Sequence, residues 1–473
     1  MYDYDWLVIG SGPAGEKGAA QAAYFGKRVA LVEKAAHVGG ACIHTGTLPS
    51  KTLRETAVYL SGFQKRELYG SAHLTLGHQV SLADLMCRQA AVIDTQAERL
   101  RQNLEQHKVD FLRGEARFVD EHTVDIVGAD VHDRVTADAI LIAVGSSPFR
   151  PSYVPFEDPD VDDSDSILRL PTIPKQMVIL GGGVIGCEYA SIFAALGTQV
   201  TIVEGRDQIL GFLDHEINER LTAQLQKLGC RLVLKKEVID VGRKNGKLVC
   251  SLDDGSDLEC ERLLFAGGRS GNTQRLLLER IGARPDGRGL IHCDEHYRVL
   301  GARGRVYAAG DVIGFPALAS VAMEQGRVAA CHAFDLGYKT SVAPEFPYGL
   351  YTIPEVGTIG HSEESAKKAG IDYEVGRAHY RDQARGQIIG DLDGMVKLVF
   401  SAVDKKLLGV HVIGERATEL VHIGQAVMHF SATIDHFIEQ VFNFPSLGEL
   451  YKYAAYDGLG RLGSRAQRAN TNG

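Results

Sequence analysis

Two glycine fingerprints, each set between an apolar strand and a strand that ends in an acid, constrain this chain more than any other feature. The first, Gly10-Ser11-Gly12-Pro13-Ala14-Gly15, follows the apolar run Trp6 to Ile9 and opens a helix-compatible stretch from Glu16 to Phe25. A second strand, Arg28 to Val32, then ends in Glu33. The second fingerprint, Gly181-Gly182-Gly183-Val184-Ile185-Gly186, follows Gln176 to Leu180; its helix runs from about Cys187 to Leu196, and strand Gln199 to Val203 ends in Glu204. Glycines at this spacing permit a tight turn and let a pyrophosphate approach the helix N-terminus, while the acid binds a ribose diol. One such motif alone is a weak signal, but strand, helix, strand and acid together are strong. Two complete sets roughly 170 residues apart predict an α/β protein with two Rossmann-like dinucleotide-binding domains.

At 473 residues the chain has room for about three domains. Its net charge of -9 argues against nucleic acid or an anionic membrane as partner. Apolar runs such as Ala139 to Val144 are too short to span a bilayer, and Trp6 to Ile9 already reads as a first strand, not a secretory signal. The eight cysteines are scattered, without a C-x-x-C, and the 17 histidines form no cluster of ligand spacing. A cytoplasmic protein with reduced thiols and no metal is therefore expected.

The stretch Gly39-Gly40-Ala41-Cys42 to Thr47-Leu48-Pro49-Ser50-Lys51 resembles the redox loop of the flavoprotein disulfide reductases, Gly-Gly-x-Cys-(four residues)-Cys-x-x-Pro-Ser-Lys. Thr47 stands at the second cysteine position, and a hydroxyl neither takes up two electrons nor forms a mixed disulfide. Near the far end, Phe444-Pro445-Ser446-Leu447-Gly448-Glu449 resembles that family's His-Pro-Thr-Leu-x-Glu, with Phe444 where the acid/base histidine belongs. Thiol–disulfide exchange needs both parts, so losing both suggests a different reaction. Smaller marks of the family are Ile140 to Ser146, Ala266 to Asn272 and Arg303 to Asp311.

This resemblance implies an FAD-binding domain over residues 1–150 and 271–345, with an NAD(P)-binding domain over 151–270 inserted in it. It further implies an α+β dimerisation domain over 346–463 and a homodimer in which the C-terminal segment completes the partner's site; larger homo-oligomers stay open. Residues 464–473 are polar and aperiodic and read as a disordered tail. For FAD the implied residues are Gly10, Gly12, Gly15, Glu33, Cys42, Thr47, Lys51, Gly145 and Asp311. For NAD(P) they are Gly181, Gly183, Gly186, Glu204, Arg206 and Gly268. Lys51 and Glu188 match the family's lysine–glutamate pair beside the flavin and are the expected catalytic residues. Val184 stands where some members place a tyrosine lid over the nicotinamide pocket. Cys42 has two readings, a redox thiol passing through a sulfenic acid or a packing residue.

Within the family, the chain resembles the soluble, Si-specific NAD(P)+ transhydrogenases. The stretches that carry this are Asp163 to Leu168, Gly183 to Phe193, Gly310 to Gly314, Tyr351 to Glu355 and Gly414 to Ala417. The implied activity is ping-pong hydride transfer between NAD(H) and NADP(H) through FAD, with nicotinamide nucleotides as the substrates. Glu204 favours an NAD 2′-hydroxyl over an NADP 2′-phosphate, and only Arg206 remains of an Arg-x-Arg pattern, so NAD(H) preference with weaker NADP(H) use is expected. Two other readings stand beside it: an NADH-dependent diaphorase or quinone reductase, and a degenerate reductase kept as a non-catalytic scaffold.

Overall fold

The computed structural model describes residues 1–471 except 66–81, 129–131 and 171. Its elements gather on three large sheets. In the first, the parallel order is Asp110–Arg113, Val29–Glu33, Tyr4–Ile9, His132–Ile142, Arg305–Ala308. Two short antiparallel strands, Glu115–Phe118 and Thr123–Val127, extend from the long strand. Val29–Glu33 is buried along its whole length, as an aliphatic strand covered on both faces should be. The helix of the first fingerprint, Pro13–Tyr24, packs on Ala319–Ala333 so closely that a Cβ on Gly326 would lie 2.1 Å from the Ala14 carbonyl oxygen. Small residues on this helix are therefore a packing requirement.

The second sheet is wholly parallel: Arg231–Leu234, Gln199–Glu204, Gln176–Leu180, Arg262–Phe265, Val161–Asp163. A three-stranded antiparallel sheet, Val238–Lys244, Lys247–Leu252 and Asp257–Cys260, follows in the chain before the strand Arg262–Phe265. The chain enters and leaves this unit along one two-stranded ribbon, Ser146–Pro148 paired antiparallel with Arg269–Gly271. Both connections thus cross at a single place.

The third sheet is antiparallel, ordered Tyr348–Leu350, Val356–Gly360, Leu407–Ile413, Met395–Ser401, Tyr373–His379. Charge ties it to the second unit. Lys397, on the third sheet and 1% exposed, donates to Asp214 at 2.8 Å and pairs with Glu216 at 3.2 Å and Glu363 at 2.5 Å. Asp214 also caps the helix His215–Lys227. Removing the lysine would leave the buried Asp214 without its ammonium, a cost of about 3–5 kcal/mol, while Glu216 and Glu363 keep Arg377.

The C-terminal residues differ from the sequence expectation. Instead of a disordered tail from residue 464, the helix Leu450–Thr471 takes in residues 464–471; residues 472 and 473 lie outside the described residues. The run Ser464-Arg465-Ala466-Gln467-Arg468 holds good helix formers that extend a helix already begun on the sheet. Arg465 also pairs with Asp372 at 2.6 Å. Among the described residues, no helix is long and apolar enough to cross a membrane.

Candidate functional site

The two fingerprints share one backbone geometry. Gly10 has φ +105° and Gly181 φ +111°, a left-handed region open to glycine. A Cβ on Gly15 would lie 1.8 Å from the Gly10 carbonyl oxygen, and one on Gly186 1.9 Å from that of Gly181. The middle glycines, Gly12 and Gly183, meet nothing within 4 Å on that side and face open space at their helix N-termini. Each fingerprint therefore has one glycine for the turn, one for close packing and one that leaves room for a ligand's phosphates.

The first fingerprint opens into a cleft of about 2150 Å³ that draws residues from all three sheets' units. Gly10, Gly12, Glu33, Cys42, Thr47, Lys51, Gly145 and Asp311 all line it, as does Glu188. Gly15 does not, because it packs beneath the turn. Glu33, 8% exposed, accepts from the Ser11 N–H at 3.0 Å, the Ser11 hydroxyl at 2.7 Å and the Ala35 N–H at 2.8 Å. The Ser11 oxygen in turn accepts from the Gly39 N–H at 2.9 Å, which fixes the loop before Cys42.

Lys51, on the helix Thr47–Lys65, donates to Glu188 Oε2 at 2.6 Å. Glu188 belongs to the second fingerprint's helix, Val184–Ala195, and its other oxygen accepts the Tyr351 N–H at 2.9 Å. The Lys51 ammonium also sits 5.0 Å from the centre of the Tyr351 ring. One lysine is thus fixed by a carboxylate from the second unit and a tyrosine from the third. Tyr351 falls within one of the stretches of resemblance, which assigns it no role.

Cys42 and Thr47 both line the cleft. Burial pushes the Cys42 thiol above its ordinary range, outweighing the opposing influence of the Thr47 side chain. Asp311 accepts from the Ser146 hydroxyl at 2.8 Å. Arg269 grips the same serine, through Nε to its hydroxyl at 2.8 Å and through Nη2 to its carbonyl at 2.7 Å. Ser146 and Arg269 lie on the crossover ribbon and were not expected as site residues; their adjacency to Gly145 and Gly268 was the available signal. His422, on the helix Ala417–His429, also lines the cleft and bonds Gln425 at 2.7 Å. Nothing in the sequence marked it. Phe444, 74% exposed, and Glu449 do not line the cleft.

The remaining expected residues stand apart from this cleft. Gly181, Gly183, Gly186, Glu204, Arg206 and Gly268 lie at the carboxyl ends of the second sheet's strands, where open α/β sheets bind ligands. The helix Val184–Ala195 links the two places, since Val184, Ile185 and Glu188 do line the cleft. Glu204 accepts from the Gly182 N–H at 2.7 Å and the Arg206 N–H at 3.0 Å. The Arg206 guanidinium also binds it, Nε at 3.0 Å and Nη2 at 3.2 Å. Burial pushes the Glu204 carboxyl up, but these donors outweigh it and hold the group below its ordinary range. Among the described residues there is no group of three or more His, Cys, Asp or Glu side chains that could hold a metal.

With the fold and site in hand, the chain's relatives are informative. Residues 4–326 match the pyridine nucleotide-disulphide oxidoreductase family, and residues 346–455 match that family's dimerisation domain. The chain belongs to this family. It is 45% identical over 465 residues to a soluble pyridine nucleotide transhydrogenase of Mycobacterium bovis, covering 98% of each chain. It is 41% identical over 466 residues to a soluble pyridine nucleotide transhydrogenase of Pseudomonas fluorescens, covering 98% of this chain and 99% of the other. Among solved structures, the HOCl-induced flavoprotein disulfide reductase RclA of Escherichia coli superposes with a TM-score of 0.86 at 26% identity, over 96% of this chain and 99% of the other. LpdA of Mycobacterium tuberculosis shares the fold, with a TM-score of 0.88 at 24% identity over 95% of this chain and 99% of that one.

Proposed function

We propose that this chain is a flavoprotein transhydrogenase that moves hydride between NAD(H) and NADP(H), one nucleotide leaving before the other enters. The net reaction, NADPH + NAD+ → NADP+ + NADH, balances without protons or a third reactant. The observation that carries the reading is a pairing of what is kept with what is lost. Both fingerprints and the Lys51–Glu188 pair are intact, while Thr47 and Phe444 stand where a disulfide and its acid/base would be needed.

Residues at the first fingerprint fit FAD: Gly12 leaves space at a helix N-terminus, and Glu33 and Asp311 present acceptors to the same cleft. FAD, when bound, supplies the two-electron carrier that both nucleotides share. Lys51 places a fixed positive charge in this cleft, and Glu188 and Tyr351 hold that charge in position. Glu204 receives the adenosine ribose of a nicotinamide nucleotide, and Arg206 stands ready for the 2′-phosphate of NADP(H). We take the first unit as the FAD domain over 1–150 and 271–345, and the inserted unit, 151–270, as the NAD(P) domain. Homodimerisation through residues 346–463 and a cytoplasmic location complete the proposal.

The test is anaerobic reduction of thio-NAD+ by NADPH, with lipoamide and a quinone as parallel acceptors. Rapid transfer to thio-NAD+ and none to lipoamide supports the reading. One observation favours a second reading, an NADH diaphorase: Arg206 is paired with Glu204, so a phosphate must share it with a carboxylate. If NADH reduces the flavin, NADPH does not, and only the quinone reoxidises it, that second reading holds.

A further inference from the structure

We propose that Lys235 supplies a second cation for the 2′-phosphate of NADP(H), completing from the neighbouring strand a subsite that Arg206 fills only in part. The inference rests on the reading above, that both nucleotides are substrates. Its starting point is a shortage of positive charge. Arg206 is committed to Glu204 through two side-chain bonds, so a phosphate arriving there meets a carboxylate whose neutralising partner it must share. A second carboxylate is close by, since Glu237 Oε1 lies 3.2 Å from a Cβ built on Gly205. One guanidinium is poorly matched to a dianion beside two acids.

The neighbouring strand brings the missing charge. Arg231–Leu234 pairs in parallel with Gln199–Glu204, and Leu234 stands opposite Glu204. The next two residues are stitched to the backbone of the arginine segment. The Lys235 N–H donates to the Arg206 carbonyl at 3.0 Å, and the Lys236 N–H to the Glu204 carbonyl at 3.3 Å. Their side chains differ. The Lys236 ammonium pairs with Asp254 at 2.8 Å. Lys235 is exposed, and among the described residues no carboxylate pairs with it. Its φ of 56° lies in the left-handed region, uncommon for a lysine. An unpaired ammonium is thus tied by its own backbone to the residue that reads the 2′ position. NADH carries only an uncharged hydroxyl there, so Lys235 discriminates between the nucleotides.

The experiment uses the full-length, FAD-loaded protein, in which an adenosine probe is kept out of the flavin site. Lys235→Asn removes the charge with a residue that tolerates the left-handed backbone, and Lys235→Arg retains the charge. Calorimetry compares 2′,5′-ADP with 5′-AMP, and steady-state kinetics compare NADPH with NADH. For Lys235→Asn, the affinity ratio of 2′,5′-ADP to 5′-AMP falls about tenfold, and the KM ratio of NADPH to NADH rises by a similar factor. Lys235→Arg stays close to the wild type in both. An unmoved ratio in Lys235→Asn, or equal weakening of both probes, overturns the assignment. If the wild type uses NADPH, such a result sinks Lys235 alone. If the wild type neither distinguishes the probes nor takes electrons from NADPH, the transhydrogenase reading fails together with it.

Discussion

The two fingerprint units share a backbone geometry and differ in two side chains, and on the proposed reading that difference separates a site for a held cofactor from one for exchanged substrates. In each, an acid at the end of the second strand accepts from the residue after the first glycine and from the N–H two residues beyond itself. In the first unit those donors are Ser11 and Ala35: a hydroxyl adds a third bond and a methyl group adds no charge. In the second unit they are Gly182 and Arg206: the hydroxyl is gone and a guanidinium clasps the acid instead. Neutral donors make Glu33 a rigid part of its loop. A charged donor on an exposed side chain makes Glu204 one arm of a pair that a phosphate can reopen. The acid is common to both; the donor two places on is neutral in one unit and charged in the other.

The sharpest break of this comparison is a matched pair of variants. Gly15→Ala and Gly186→Ala each drive a methyl group into a backbone carbonyl that has nowhere to move. Gly15→Ala is expected to purify without flavin or to fail to fold. Gly186→Ala is expected to keep its visible flavin absorbance and lose reduction by either nucleotide. If Gly186→Ala also loses flavin, the two units are not separately dedicated. Next in size is Lys51→Met, which removes the charge that Glu188 and Tyr351 position. Flavin stays bound, and its reduction by NADH in stopped flow slows about 100-fold. An unchanged rate would refute the assigned role of the pair.

Glu204→Ala tests the second unit's clasp. It frees Arg206 and removes a repelling carboxylate, so the NADPH KM falls about tenfold while the NADH KM rises. No change in either would sink the account of Glu204. The clasp also has a sign in pH. The folded-state carboxyl titrates below its ordinary range, so the pair is intact above that range and is lost only as pH falls through the lowered value. Nucleotide discrimination is therefore flat across neutral pH and weakens only in acid. A marked change between neutral and mildly alkaline pH would contradict it.

Much of this was legible in the sequence because it is local. The fingerprints, their strands and their acids sit within about 25 residues of one another, and spacing alone predicted the parallel units. Thr47 opposite Cys42 was legible for the same reason. What the sequence did not show is what joins distant segments. Tyr351 reaches Glu188 across 163 positions, and Arg269 reaches Ser146 across 123. The Arg206–Glu204 clasp is local in sequence, yet its geometry depends on where the strand turns. The polar composition of the tail reads as disorder, whereas residues 464–471 take their conformation from a helix seated on the third sheet.

The smallest expected effect concerns Cys42, and it bears on whether the first unit kept any sulfur chemistry. A redox thiol must be a thiolate for part of its cycle, which calls for a lowered pKa in a positive, accessible setting. Cys42 has the reverse: burial dominates, Asp311 adds negative charge, and the opposing influences of Thr47 and the Lys51 charge do not overcome them. The thiol therefore stays protonated through neutral pH. Iodoacetamide at neutral pH is expected to label the exposed Cys87 well before Cys42. Cys42→Ser keeps a hydroxyl beside Thr47 and should leave nucleotide-to-nucleotide transfer within about twofold of wild type. A loss beyond tenfold, or a sulfenic acid trapped at Cys42 during turnover, would mean that electrons pass through sulfur. The first unit would then be a reductase site with one cysteine missing. The expected result makes it a flavin site from which the sulfur step has been removed, leaving the second unit to choose which nucleotide gives and which receives.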